Sequence, residues 1–149
     1  MSFNFPVIVY CSEYLLGNLD SEKFHIVSER KYEEGLFQNC FIIDSSGNLF
    51  KIKSTIKNSL TSKGIFYALK YSLKNLDSLG TGKKVYITFD VSSPKKKNLD
   101  EIKKELKDLF LKNPKWFKNS DFSQAQAIEL FINEARTVKE LIENISVWS

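Results

Sequence analysis

Four stretches in the first sixty residues combine apolar and β-branched side chains and predict β-strands. They cover residues 3–10, 24–32, 38–44 and 49–57. The third and fourth are separated by the sequence Asp-Ser-Ser-Gly-Asn at 44–48, which is typical of a compact hairpin turn. The first part of the chain is therefore predicted to form neighbouring antiparallel strands.

The stretch 49–57 shows the clearest period of two, as expected for a strand with one buried and one wet face. The face predicted to be buried holds Phe50, Ile52 and Ile56. The opposite face, predicted to meet solvent, holds Lys51, Lys53 and Lys57.

Three later segments change to the apolar spacing of three and four residues that is typical of helices. They cover residues 62–79, 98–112 and 123–145. Gly80 is suited to end the first helix, and Asn98 and Pro114 are suited to bound the second. The third segment carries two capping-box patterns, which one bent helix or two short helices would satisfy. A strand at 83–91 follows the first helix, and a helix between two strands of one sheet predicts a crossover connection.

The element order β-β-β-β-α-β-α-α predicts an α+β fold. We expect a mostly antiparallel sheet of about five strands, with three to four helices packed on one face, in a single domain spanning residues 1–149. The composition, 42% apolar and 27% charged, is that of an ordinary soluble globular protein. The sequence shows neither a signal-peptide pattern nor an apolar run long enough to span a membrane, which predicts a cytoplasmic protein.

Charge is unevenly distributed along the chain. Residues 1–50 carry seven acidic and three basic side chains, residues 51–118 carry six and seventeen, and residues 119–149 carry five and two. A formal net charge of +4 therefore conceals a basic centre between two acidic ends. Such a distribution affects encounters with charged partners more than it affects the fold, and it favours a binding protein.

The patterns that would carry catalysis or metal binding are weak. The sequence Gly-Thr-Gly-Lys-Lys at 80–84 lacks the spacing of a phosphate-binding loop and follows a predicted helix instead of a strand. His25 is the only histidine and lies in a predicted strand. Cys11 and Cys40 fit no metal-ligand spacing and are expected to be reduced and buried. We therefore predict a protein that is not an enzyme and that uses no metal and no cofactor.

One hypothesis for the partner is nucleic acid, which the basic centre of the chain would bind through contacts between lysines and phosphates. The lysines of this predicted surface are Lys51, Lys53, Lys57, Lys83, Lys84, Lys95, Lys96 and Lys97. This hypothesis requires them to lie on one continuous face of the protein.

The remaining candidates for partner binding are acidic and aromatic residues. Trp116 and Phe117 lie between lysines in a predicted helix connection, where they would form an interaction hot spot if exposed or close the core if buried. Glu29, Glu33 and Glu34, with Tyr32 among them, form an acidic strand end, which is either a solvated hairpin or a surface suited to a basic partner.

The length, the strand segment CFIIDSSGNLFKIKS and the closing helical segment SQAQAIELFINEARTVKELIENIS resemble the small immunity proteins of bacterial polymorphic-toxin and contact-dependent growth inhibition systems. The resemblance implies stoichiometric binding of a cognate toxin domain and its neutralisation by occlusion. For a basic nuclease toxin, the contact is expected through the acidic ends of the chain. The residues expected there are Glu29, Tyr32, Glu33 and Glu34, or the helix bearing Glu129 and Glu134. The net charge of +4 departs from the acidic balance expected of a nuclease inhibitor and also accommodates an acidic partner at the lysine face.

Overall fold

The structure is a computed structural model that describes residues 2–18, 24–58 and 84–148. The predicted helix at 62–79, Gly80 and Lys83 lie outside these residues. Seven strands are described: β1 (Val7–Tyr10), β2 (Leu15–Asn18), β3 (Ile26–Ser28), β4 (Phe41–Asp44), β5 (Asn48–Asn58), β6 (Lys84–Val91) and β7 (Lys95–Lys96). The helices with described bounds are α1 (Glu29–Glu33), α2 (Leu99–Lys112), a 3₁₀-helix (Pro114–Phe117), α3 (Gln124–Ala127), a π-helix (Ile128–Asn133) and α4 (Val138–Trp148).

The strands form one antiparallel sheet in the order β2-β1-β4-β5-β6-β3, and β7 pairs with the beginning of β5. The predicted α+β class with an antiparallel sheet is confirmed. The sheet has seven described strands instead of about five, because β2 and the two-residue β7 also pair. The crossover prediction is wrong: β5 and β6 are antiparallel neighbours, so residues 59–83 connect strands that run in opposite directions.

The sheet separates two apolar clusters, as the alternation along β1 shows. Ile8 and Tyr10 pack with the buried residues of α2, the π-helix and α4, whereas Val7 and Val9 pack in a second cluster that includes Phe24. Buried residues of α2, the π-helix and α4 thus pack on the side of the sheet that carries Ile8 and Tyr10. We call this side the helical face, and the side of Val7 and Val9 the aromatic face. Tyr32 of α1 packs against the second cluster, on the aromatic face.

Local sequence explains α2 in detail. Asn98 accepts a hydrogen bond from the Glu101 backbone N–H (2.9 Å), and the Glu101 carboxylate accepts one from the Asn98 N–H (3.4 Å), which completes a capping box. The helix ends at Asn113, before Pro114, as predicted. Its inward stripe is fully or nearly fully buried and consists of Ile102, Leu106, Leu109 and Phe110.

The last helical segment is divided in two. Ser123 and Gln126 cap α3, which continues directly into the π-helix and ends before Glu134. A second helix, α4, begins at Val138, with the Thr137 hydroxyl accepting a hydrogen bond from the Glu140 N–H (3.0 Å). Of the two arrangements that the sequence leaves open, the structure shows two helices.

The predicted strand at 24–32 is too long. The Ser28 hydroxyl accepts a hydrogen bond from the Lys31 N–H (3.2 Å), so that the chain turns from β3 into α1 at this residue. Serine at this position competes with the strand ladder, and the polar run after it adds no buried alternation to hold a strand. No helix in the described part of the chain is long and apolar enough to cross a membrane.

Candidate binding groove

An open groove lies beside β5, where this strand extends beyond β4. β5 pairs with β4 over Leu49–Lys51, and the last contact is a hydrogen bond from the Ile52 N–H to the Cys40 carbonyl (3.0 Å). Beyond this point β5 continues alongside β6 only, among the described residues. The space on its other side is a groove of about 810 Å³.

The walls of the groove come from two parts of the chain. One wall is the middle of β5, residues 51–55, and the other comes from α1 and the turn after it. The side chains at its rim combine an aromatic ring, a carboxylate, two ammonium groups and two amides. They belong to Tyr32, Glu33, Lys51, Lys53, Gln38 and Asn39.

Left-handed backbone shapes the turn that forms one wall. Gly35 has φ +82° and Asn39 has φ +57°, a region that glycine and asparagine tolerate best. The Gln38 N–H donates to the Gly35 carbonyl (3.1 Å), which closes the turn. The Tyr32 hydroxyl donates to the Thr55 carbonyl across the groove (3.4 Å). These contacts hold the α1 wall against β5.

A β-bulge changes the side-chain pattern of β5. The register runs from Ile52 opposite Val91 directly to Ser54 opposite Asp90, so that Lys53 is the additional residue. Beyond it, each side chain lies on the face opposite to the one that strict alternation predicts. The predicted burial of Ile56 is therefore wrong, since 58% of this residue is exposed.

The same bulge divides the predicted lysine face of β5. Lys57 pairs with Ile87, a buried residue of the aromatic face, whereas Lys51 pairs with Phe41, which packs on the helical face. Because opposite residues of an antiparallel pair share a face, Lys51 and Lys57 lie on different faces of the sheet. The predicted common face for the three lysines of this strand is wrong.

An ion pair links α1 to the far end of β5. Lys57 Nζ lies 2.9 Å from Glu29 Oε1, and this hydrogen bond raises the pKa of the Lys57 ammonium group. The two residues belong to stretches of opposite charge that are well separated in the sequence. The acidic beginning and the basic centre of the chain are thus in contact here.

The predicted acidic and aromatic partner residues do not form one surface. Tyr32 and Glu33 line the groove, and Glu34 lies next to them, 3.0 Å from Arg30. The π-helix carries Glu129 and Glu134 lies directly after it; both are exposed, and their helical layer covers the opposite face of the sheet. The acidic residues of the two chain ends therefore form two separate surfaces.

The aromatic pair between the helices is mainly structural. Phe117 is only 8% exposed and its ring lies 5.2 Å from that of Phe110 in the core beneath the helices. Trp116 is half-buried, with its ring edge-to-face with Phe110 at 6.2 Å. Of the two predictions for this pair, closure of the core describes Phe117, and a partner would reach only part of Trp116.

The other described lysines of the predicted nucleic-acid surface lie at two ends of the sheet. Lys95 and Lys96 form β7, which pairs with the first two residues of β5. Lys84 begins β6, whose first residues lie beside the far end of β5. Nine residues of strand separate the two ends, or roughly 30 Å. The Lys96 ammonium donates to the Ser46 carbonyl, and Lys97 lies 3.6 Å from Glu101. The described lysines are thus divided between the two ends of β5 and, on β5 itself, between two faces of the sheet, which disfavours the continuous face that the nucleic-acid hypothesis requires.

A smaller cavity of about 220 Å³ lies between β1 and α2. Within it the Tyr10 hydroxyl donates a hydrogen bond to the Glu105 carboxylate. The pKa of Tyr10 is raised above its ordinary value. Burial is the largest cause, and the hydrogen bond to Glu105 and the charge of its carboxylate add to it. A hydroxyl held in its protonated form is a poor base or nucleophile, so the pair is better suited to joining the helix to the sheet than to catalysis.

His25, the single histidine of the chain, has a structural position among the described residues. His25 Nδ1 lies 2.8 Å from the Ile87 carbonyl, and its ring stacks on Tyr86 at 5.0 Å between centroids. Both contacts fix the ring within the sheet. In the described part of the chain, no three His, Cys, Asp or Glu side chains come close enough together to hold a metal ion.

The fold and the groove define a small α+β domain with an open, mixed-charge surface beside one strand. Comparisons with protein-family models, with curated proteins and with solved structures found no match to this chain.

Proposed function

We propose that this protein is a non-enzymatic binding module that engages another protein through the groove beside β5. The observation that carries the proposal is an open space of about 810 Å³ with an aromatic ring and charges of both signs at its rim. The sequence resemblance to immunity proteins makes a bacterial toxin domain the first partner to test. In this proposal the protein acts in the cytoplasm and neutralises the toxin by covering an essential surface.

The groove has the features of the centre of a protein interface. Tyr32 presents a large ring that is partly packed and held by its hydroxyl, so that its binding requires little additional ordering. Glu33 and Lys53 add charges of opposite sign at the rim, which would select the orientation of a complementary partner. Gln38 and Asn39 add amides able to donate and accept hydrogen bonds.

The separation of the acidic residues limits how one partner would bind. A standard interface covers about 800 Å² on each protein, and a compact toxin domain of this kind would contact one side of the sheet. We assign the contact to the side of Glu33 and Glu34, because the groove lies there. The surface of Glu129 and Glu134 then serves as a matched comparison on the opposite face.

The experiment uses two double variants with the same change in charge. Glu33→Lys with Glu34→Lys alters the groove side, and Glu129→Lys with Glu134→Lys alters the helical side; all four glutamates are exposed. The affinity of each variant for the purified product of the gene adjacent to its own, tested as the candidate toxin, is measured by titration calorimetry, with protection of growing cells as a second measurement. We expect the groove variant to raise Kd about tenfold or more and the control to change it less than about twofold.

The outcomes separate the site from the function. Weaker binding by the helical-side variant alone would move the contact to the opposite face and contradict the groove assignment. Absence of binding by the unmodified protein would contradict the toxin-inhibitor proposal itself.

We favour a protein partner over nucleic acid because the described lysines are divided between faces and between ends of β5. The alternative is tested with duplex DNA at two salt concentrations. A lysine surface that neutralises several phosphates would lose affinity steeply as salt rises. Tight, salt-sensitive binding of DNA would favour this alternative over the toxin inhibitor.

A further inference from the structure

The two cysteines of the chain flank two neighbouring strands, β1 and β4. In the register of β1 and β4, Val9 is opposite Ile42 and Tyr10 is opposite Phe41. Cys11 follows β1 directly, and Cys40 directly precedes β4. One further step of the register therefore places Cys11 opposite Cys40.

The backbone hydrogen bonds show which kind of cross-strand pair this is. The Cys11 N–H donates to the Tyr14 carbonyl (3.0 Å), on the side of β2. The Cys40 carbonyl accepts from the Ile52 N–H (3.0 Å), on the side of β5. Both backbones thus direct their polar groups away from each other, which defines a non-hydrogen-bonded pair with Cα atoms about 4.5 Å apart. This spacing is within the range of about 4.4–6.8 Å found for disulfides.

The side chains lie on the same face of the sheet. Cys40 belongs to the apolar cluster of the aromatic face, and Cys11 packs against that cluster. The thiols differ in their access to solvent, because Cys40 is buried and Cys11 is partly exposed. A reagent in solution therefore reaches Cys11 first.

The surroundings of Cys40 keep it unreactive by itself. Its Sγ lies 2.8 Å from the Tyr14 hydroxyl and donates toward the Leu36 and Gln38 carbonyls at 3.4 Å. Burial is the largest cause that raises the pKa of the Cys40 thiol, to about 11. Burial also keeps Cys40 away from an oxidant in solution, whereas its position opposite Cys11 lets it react with an oxidised Cys11 despite its raised pKa.

We propose that Cys11 and Cys40 form a dithiol that hydrogen peroxide oxidises to a cross-strand disulfide. In the first step the Cys11 sulfur attacks one peroxide oxygen, the O–O bond breaks, and a sulfenic acid and one water are formed. In the second step the Cys40 sulfur attacks the Cys11 sulfur, which releases a second water and forms the S–S bond. The two sulfurs lose two electrons in total and the peroxide gains them. This inference does not depend on the proposed function.

The test begins with the folded, reduced protein and a small excess of hydrogen peroxide. Because the chain has only two cysteines, thiol titration in denaturant should fall from two per chain to none. The intact mass should decrease by about 2 Da, and a non-reducing digest should contain one peptide joining Cys11 to Cys40. Dithiothreitol should restore both thiols.

Two single variants provide the controls. Cys11→Ser should keep its remaining thiol under the same treatment, because Cys40 is buried. Cys40→Ser should gain oxygen at Cys11 or form a dimer between chains. Because Cys11 is partly exposed, its replacement leaves the core intact even if Cys40→Ser folds poorly.

Three results would overturn the inference. The first is that both thiols of the folded protein remain unreacted after treatment. The second is a gain in mass by one or more oxygens without the linked peptide. The third is a linked peptide that forms only when the protein is treated in denaturant.

Discussion

The carboxylate of Asp44 provides the strictest test of the hairpin that supports the sheet. This residue is fully buried at the end of β4, where the chain turns toward β5. Its Oδ1 accepts from the backbone N–H groups of Ser46 and Asn48, both at 3.0 Å. Its Oδ2 accepts from the Asn48 side-chain amide (3.2 Å) and from the Asn4 N–H (3.3 Å). One carboxylate thus joins the turn to the segment before β1.

The expected cost of replacing it follows from these contacts. Asp44→Ala leaves three backbone N–H groups without their acceptor, and hydrogen bonds to a charged group contribute about 1.5–3 kcal/mol each. Because such losses are not additive and water can enter the exposed side of a turn, we expect about 3–5 kcal/mol. Asp44→Asn retains an oxygen for Ser46 and Asn48 but turns an amide N–H₂ toward Asn4. It should cost about 1–3 kcal/mol.

Urea unfolding followed by circular dichroism measures both variants. The matched control is Asp90→Ala, because Asp90 is an exposed aspartate on β6 and its loss should cost less than about 0.5 kcal/mol. The order of stability should be wild type, Asp44→Asn and Asp44→Ala. If Asp44→Asn were as stable as the wild type, or Asp44→Ala no less stable than the Asp90 control, the argument from charged acceptors at this turn would be refuted.

Three further substitutions test other parts of the structure. Gly17→Ala would place a methyl group 2.6 Å from the Ser146 Cα of α4, so it should lower the free energy of unfolding in urea by about 1–3 kcal/mol. Adding Ser146→Ala should not restore this loss, because the contact is with the backbone. Unchanged stability would contradict the packing of β2 on α4. Ile56→Thr should change the stability by less than about 0.5 kcal/mol because Ile56 is exposed, and a larger loss would contradict the bulge. The pKa of Tyr10 is raised in the folded protein, so the stability it contributes is complete below pH ~10 and falls by up to about 1.4 kcal/mol per pH unit above it. Unfolding measured between pH 9 and 11 should show a smaller loss for Tyr10→Phe, and equal losses would contradict a protonated Tyr10 beside Glu105.

The elements that local chemistry determines were predictable from the sequence. The capping residues of α2 and the turn at 44–48 act over a few residues, so their positions in the chain suffice to predict them. The antiparallel sheet follows from short strands joined by such turns. The division between the π-helix and α4 does not follow from the sequence, because the unbroken apolar stripe predicts one helix whereas the two capping boxes predict two.

The candidate site depends on contacts that local patterns do not contain. The bulge at Lys53 is a property of the pairing between β5 and β6, and a period of two in the sequence continues through it unchanged. The ion pair of Glu29 with Lys57 requires α1, which the sequence predicts as strand. The sequence signal that could have located α1 is Ser28 followed directly by Glu29, an N-cap residue with an acidic residue in the first turn.

The folded arrangement also changes what the charge distribution implies. Along the chain, acidic ends flank a basic centre, and a strong long-range field would be expected if these blocks remained apart in space. The fold instead brings Glu29 against Lys57 and Glu33 into the same groove as Lys53. The fields of adjacent opposite charges largely cancel at distances greater than their separation, and salt screens what remains beyond about a Debye length, roughly 8 Å at physiological salt. Recognition at the groove should therefore depend on short-range complementarity, and added salt should change the association rate of a partner little.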